Sequence, residues 1–265
     1  MARRMSWQPV EQNLRRAMRV FSLASERGEA RDMPGVTLVS SGVDYSVFNS
    51  AMLSSPAPDP DGGLDRRAAI AAVHFSMRRL GWSFWLCEEL LDPSTRRRAG
   101  DILAGRNLRR LVEAPGMLAE ALEPPLRPLP WLDYRRVADD RTRSEFCHIT
   151  AIAFHLPFPI AQAIYGSERF WQGDYRGWIG YRDSQPIAAA ATLAAGGAIG
   201  LYSVATLPEH RRQGCAEAIA RHALAQASAE SGESPYVLQS TPAGYALYEQ
   251  MGYRTVGHFT VYVAQ

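Results

Sequence analysis

Ala216, Ile219, Ala220, Ala223, Leu224 and Ala227 repeat at the i, i+3, i+4, i+7 spacing of a helix with one apolar face. Before that stripe, residues 177–181 and 187–193 predict a hairpin about the polar turn 182–185, followed by a strand over 199–206. Residues 236–239 predict a further strand. A short helix is then expected over 240–252, with Ser240 or Thr241 as N-cap, Pro242 in its first turn and Gly252 as its stop. Phe259, Val261 and Val263 alternate with His258, Thr260 and Tyr262, the pattern of a half-buried last strand. Earlier, residues 131–137 read as a strand, and 146–154 with 160–164 as helical pieces broken at Pro157 and Pro159.

Residues 123–130 carry four prolines, at positions 124, 125, 128 and 130, which neither a helix nor a central strand accommodates. They predict a stiff connector and two domains, 1–126 and 127–265. In the first, short strands are expected over 36–40, 43–48 and 82–86. A helix over 67–79 carries Ile70, Val73 and Met77 on its apolar face, a second lies near 95–103, and Pro115-Gly116-Met117 reads as a turn. The loop from Ser54 to Gly63, rich in Pro, Asp and Gly, is expected to be mobile.

The chemistry concentrates at 206–217. Arg211, Arg212, Gln213, Gly214, Cys215, Ala216 and Glu217 follow a strand and run into a helix. A helix start offers N–H groups without intrahelical partners and the positive end of the dipole, so it suits a pyrophosphate. Gly214 permits close backbone approach, Ala216 keeps the approach open, and two guanidinium groups add forked donors.

Val204-Ala205-Thr206, Arg211-x-x-Gly214-x-Ala216, and Ala246-Leu247-Tyr248 with Gly252-Tyr253 occur in an order that resembles the GNAT superfamily of acyl-CoA N-acyltransferases, over roughly residues 130–265. Many members have glycine where this chain has Ala216. The resemblance implies an α/β fold, a mixed, mostly antiparallel sheet with helices on both faces. The weaker echo in the first half implies two tandem copies, the first degenerate, with no Arg-x-x-Gly-x-Gly/Ala loop between a strand and a helix. It also implies that the backbone of Val204, Ala205 and Thr206 holds the pantetheine arm of acetyl-CoA and that Arg211 to Glu217 hold its pyrophosphate. Ser240 is grouped with these cofactor-binding residues, and no metal is expected.

Attack of a neutral amine on a thioester places negative charge on the carbonyl oxygen, which a backbone N–H at or near Val204 can stabilise. The departing thiol has a pKa of ~8.5 and a phenol ~10, so Tyr248 is the candidate acid; a packed core tyrosine is the alternative. Glu168, Asp174, His155 and Gln239 are weaker candidates for ordering water beside the amine.

Composition narrows the classes. A net charge of +2 over 265 residues argues against a nucleic-acid protein, and Arg96-Arg97-Arg98 with Arg106, Arg109 and Arg110 read as solvated surface. Every basic side chain other than histidine is arginine, which excludes a Walker lysine and Schiff-base chemistry. Cys87, Cys147 and Cys215 form no disulfide framework or zinc spacing, and Cys215 is expected to be a spectator. No signal or membrane segment is read, so a cytoplasmic protein without a membrane partner is expected, as a monomer or homodimer. The leading function is transfer of an acetyl group from acetyl-CoA to a primary amine acceptor; the alternative is a non-catalytic acyl-CoA sensor with a protein partner.

Overall fold

The computed structural model describes residues 6–57, 62–232 and 235–265. Residues 58–61, within the loop expected to be mobile, lie outside it. The chain begins with α1 (Gln8–Val20), then β1 (Glu29–Met33), β2 (Val36–Ser40), β3 (Asn49–Leu53), α2 (Gly63–Arg78), β4 (Ser83–Cys87), α3 (Pro93–Ala104), β5 (Leu108–Glu113) and β6 (Gly116–Ala119). After the connector come β7 (Asp133–Arg136), α4 (Asp140–Phe154), α5 (Phe158–Tyr165), α6 (Glu168–Trp171), β8 (Tyr175–Arg182), β9 (Gln185–Ala195) and β10 (Ala198–Thr206). The last elements are α7 (Cys215–Ser231), β11 (Tyr236–Gln239), α8 (Tyr245–Gln250), β12 (Arg254–Gly257) and β13 (Phe259–Ala264).

Two mostly antiparallel sheets result, ordered β1-β2-β3-β4-β13-β5 and β12-β6-β11-β10-β9-β8-β7. Each contains one parallel pair, β3 with β4 and β10 with β11. The halves exchange strands: β13, the last element, lies between β4 and β5, while β6 fills the gap between β11 and β12. A cut in the connector therefore does not separate the sheets.

The exchange explains two departures from the sequence pattern. Pro115-Gly116-Met117 is not a turn; Gly116 opens β6, whose residues are all buried because strands flank it on both sides. The last strand is not half-buried, since Thr260 and Tyr262 are covered as well as Phe259, Val261 and Val263. Residues 46–48 form a 3₁₀ turn, and the strand expected over 43–48 is β3 instead. Helix α2 forms but turns another face inward: Leu64, Ala68, Ala71 and Phe75 are buried, whereas Val73 and Met77 are exposed. The helix expected from 240 begins only at Tyr245, because the backbone carbonyl of Thr241 accepts the N–H groups of Gly244 and Tyr245 in a preceding turn.

The second sheet is built for close helix packing. Ala188 to Ala191 of β9 are fully buried, and alanines there leave room for α7 on one face and α4 on the other. The predicted α7 stripe is buried except at Ala216, which is intermediate.

Helix α1 has the spacing Val10, Asn13, Leu14, Ala17 and Met18 on its buried face, a period that marks it in the sequence although no element is assigned there above. It packs on β9, β10 and β11 of the other half. Asn13 donates to the carbonyls of Leu193, Ala195 and Ala198 at 3.1, 2.9 and 2.9 Å, and accepts from the Tyr202 hydroxyl at 2.6 Å. A Cβ on Gly200 would sit 2.0 Å from its Oδ1, so glycine is required for this approach. Asn13→Ala leaves these buried groups unpaired and should lower unfolding stability by about 2–4 kcal/mol in a denaturant titration; a change below about 0.5 kcal/mol would contradict this account.

Candidate active site

The site starts where two parallel strands part. Strand β10 pairs with β11 only at Ile199↔Tyr236 and Gly200↔Val237, although its antiparallel pairing with β9 continues to Thr206. The β9–β10 register shifts between Tyr202 and Ala205, and Ser203 has φ +51°, a bulge that re-aims the backbone around Val204 into the opening. Val204 is partly exposed; Ala205 and Thr206 are buried, and Thr206 Oγ1 has no hydrogen-bond partner among the described residues.

After Thr206 the chain makes a 3₁₀ turn over Pro208–His210 and enters the loop. Arg212 and Gly214 both have left-handed backbones, at φ +62° and +81°. Gly214 is the N-cap of α7; a Cβ there would also meet Pro130 Cδ at 3.1 Å. The carbonyl of Gly214 accepts the N–H of Ala218, so the amides of Cys215, Ala216 and Glu217 form the free first turn of the helix.

The loop's side chains divide into scaffold and surface. Arg211 is exposed at its tip, but its Nε donates to the Thr206 carbonyl at 3.1 Å and ties the loop to the strand end. Gln213 donates to the Glu209 carbonyl at 3.0 Å and accepts from Arg182 at 2.6 Å. Arg212 is exposed and has no ion pair or hydrogen bond among the described residues, which leaves its guanidinium available to an anion. Cys215 is buried, and burial pushes its thiol up despite the Arg182 guanidinium 3.3 Å away. Glu217 turns its carboxylate to Arg221 at 2.9 Å. Arg182, at the hairpin turn, is a contributor that local sequence reading passed over; its contact with the loop is purely tertiary.

Tyr248 on α8 is half-buried beside Tyr253, with ring centroids 5.8 Å apart. A Cβ on Gly244 would lie 2.9 Å from its ring. Its hydroxyl has no partner among the described residues, and burial pushes the phenol up, which keeps it protonated. Val204 and Tyr248 both border the apolar cluster under α7, on the same side of the sheet. Ser240 is buried, its N–H donating to the Pro115 carbonyl and its hydroxyl to the Thr241 carbonyl, each at 2.9 Å.

The candidate water-ordering groups do not converge. His155 caps α4 and is exposed, Glu168 is exposed on α6, Asp174 pairs with Arg16 at 3.1 Å, and Gln239 donates to the Val10 carbonyl at 3.3 Å. On the α4 side of the bulge, Ser203 Oγ lies 3.0 Å from the Tyr175 hydroxyl. Tyr175 adjoins Phe170 and Trp171, and Phe21 and Phe48 from the first half complete the aromatic wall. Burial pushes the Tyr165 phenol in this wall up to about 12.

The first half repeats the layout without a usable loop. Helix α2 also follows a left-handed glycine, Gly62 at φ +62°, but Arg67 from its second turn donates to the carbonyls of Ser55 and Pro56 at 2.7 and 2.8 Å. Its guanidinium lies against Gly35, where an added Cβ would meet Arg67 Nε at 2.3 Å. A cavity of about 470 Å³ lies elsewhere in this half, between α3 and β5, and includes Arg96, Arg109 and Arg110 from the runs read as solvated surface. Among the described residues no cluster of three metal-ligating side chains occurs, and no helix is long and apolar enough to cross a membrane.

Comparison with known proteins bears on the same region. Residues 173–255 match the model of the acetyltransferase (GNAT) domain family. No curated protein matches the sequence. Among solved structures, a GCN5-related N-acetyltransferase from Kribbella flavida superposes with a TM-score of 0.70 at 18% identity, over 98% of this chain and 96% of its own. A functionally unknown conserved protein from Staphylococcus epidermidis gives 0.62 at 14%, covering 91% and 95%. A GNAT-family protein from Novosphingobium aromaticivorans gives 0.55 at 16%, covering 96% and 97%. At these identities the likeness is one of fold, and it spans both halves.

Proposed function

We propose that this chain, which belongs to the GNAT superfamily through its residue 173–255 domain, moves an acetyl group from acetyl-CoA to a primary amine by direct attack in a ternary complex. The observation that carries the reading is the succession along β10 into α7 of parted strands, a bulge at Ser203, and a helix start with a left-handed glycine and, among the described residues, an unpaired arginine. Those residues fit a pyrophosphate-bearing thioester. The amides of α7's first turn and Arg212 would take the pyrophosphate, and the β10 backbone from Val204 to Thr206 the pantetheine arm. Acetyl-CoA supplies the activated acyl group. A backbone N–H at or near Val204 stabilises charge on the carbonyl oxygen, and the neutral Tyr248 hydroxyl protonates the departing sulfur.

Calorimetry with acetyl-CoA tests the cofactor half of this. One site per chain is expected, because the first half carries no Arg-x-x-Gly-x-Gly/Ala loop between a strand and a helix. Arg212→Glu should weaken binding by about 1–3 kcal/mol, the scale of a lost charge-assisted contact. Two sites per chain, or an unaffected variant, would refute these assignments. A second reading, an acyl-CoA sensor without turnover, is favoured only by the lack of a converged base; thiol release in an amine screen separates the two.

A further inference from the structure

The connector is not a free tether. At its start the Glu123 N–H donates to the Met251 carbonyl at 3.0 Å, and the Glu123 carbonyl accepts from Arg221 on α7 at 2.7 Å. At its end Pro130 and Leu129 are the atoms that a Cβ on Gly214 would meet, at 3.1 and 3.7 Å, and Leu132 is buried in the cluster under α7. The connector therefore runs from the second turn of α7 to its N-cap, along the rim of the loop assigned above to pyrophosphate. Four prolines hold it extended at little entropic cost.

That rim carries side chains that the fold does not use. Trp131 directly follows the proline against Gly214 and is 81% exposed. Arg127 is exposed and has no ion pair or hydrogen bond among the described residues. A large flat ring anchored through its neighbours, beside a phosphate site, offers a π-face at low entropic cost, and a nucleobase is the natural occupant. A coenzyme whose pyrophosphate sits on the first turn of α7 has this rim within reach of its adenosine and 3′-phosphate.

We infer that the connector forms the adenosine end of the cofactor site, with Trp131 stacking on the adenine and Arg127 facing the 3′-phosphate. The inference rests on the CoA reading above and adds a role for the segment that joins the halves. It makes the nucleotide end of the site a product of the tandem arrangement.

The test uses the full-length chain and three ligands: acetyl-CoA, acetyl-dephospho-CoA and S-acetyl-4′-phosphopantetheine, which lacks the adenosine. Trp131→Ala should weaken acetyl-CoA roughly 5- to 100-fold, the range of one base–aromatic stack, and leave S-acetyl-4′-phosphopantetheine unchanged. Trp131→Phe should retain most of the affinity. Arg127→Glu should weaken acetyl-CoA but not acetyl-dephospho-CoA. Equal affinity of Trp131→Ala and the unaltered chain for acetyl-CoA overturns the stacking, and so does an equal loss for both acetyl-CoA and S-acetyl-4′-phosphopantetheine, which is the signature of a merely structural tryptophan. No saturable acetyl-CoA binding by the unaltered chain overturns the parent reading itself.

Discussion

Tyr248→Phe should lower turnover about 10²–10⁴-fold while acetyl-CoA affinity holds. The substitution keeps the ring that packs on Tyr253 and removes only the hydroxyl, which has no hydrogen-bond partner among the described residues, so no hydrogen bond to them is lost. An interaction needed when the thiolate departs and hardly needed before should appear in kcat and not in binding. The direction of its pKa shift gives a second readout. Burial raises the phenol above its ordinary value of ~10, so the acid form persists through neutral and mildly alkaline solution. Turnover of the unaltered chain should therefore rise with pH as the amine loses its proton, and should not fall below about pH 10 for want of the acid. An unchanged rate in the variant would assign Tyr248 to packing and protonation to water.

Truncation after His258, which removes β13, should abolish the folded first half. The strand pairs with β4 on one side and β5 on the other, and Phe259, Val261, Tyr262 and Val263 are each less than a tenth exposed. At roughly 1.5–3 kcal/mol for each large apolar side chain withdrawn from the core, the loss rivals the 5–15 kcal/mol that holds a typical domain. Two sheet edges would be opened as well. The fragment 127–265 should fail for the complementary reason, since without β6 nothing fills the space between β11 and β12. Circular dichroism and thermal melting check both; a truncated chain that melts cooperatively at the full-length temperature would show that the exchange contributes little.

The contrast between these two experiments follows what each residue depends on. The glycine-bearing loop before α7, α7 itself, the β8–β9 hairpin and the connector were legible along the chain because their signals are local: a 3.6-residue apolar period, a polar turn between strands, prolines in series, a glycine before a helix. The period of α1 is equally local. Strand neighbours are a different matter. Phe259 to Val263 alternate as a half-buried strand would, and only the first half's cover of the second face buries Thr260, which donates to Glu88 at 2.9 Å, and Tyr262, which joins the cluster containing Ala99 and Leu103 of α3. Pro115-Gly116 carries a turn's composition, but pairing with two distant strands makes Gly116 the start of one.

The site divides in the same way. Gly214 and Arg212 declare themselves by type and order, whereas nothing about a serine announces the left-handed φ at Ser203, which the competing demands of β9 pairing and the departure from β11 impose. Arg182 and Asn13 act through residues far from them in the chain, so no window of sequence contains their reasons. For this protein, then, the sequence by itself determined α7, the β8–β9 hairpin, the connector and the glycine-bearing loop before α7, because backbone propensity and side-chain period act within a few residues. The tertiary structure alone decided strand partners, the aspect of α2 that faces inward and the opening between β10 and β11, because those depend on surfaces brought together from opposite ends of the chain.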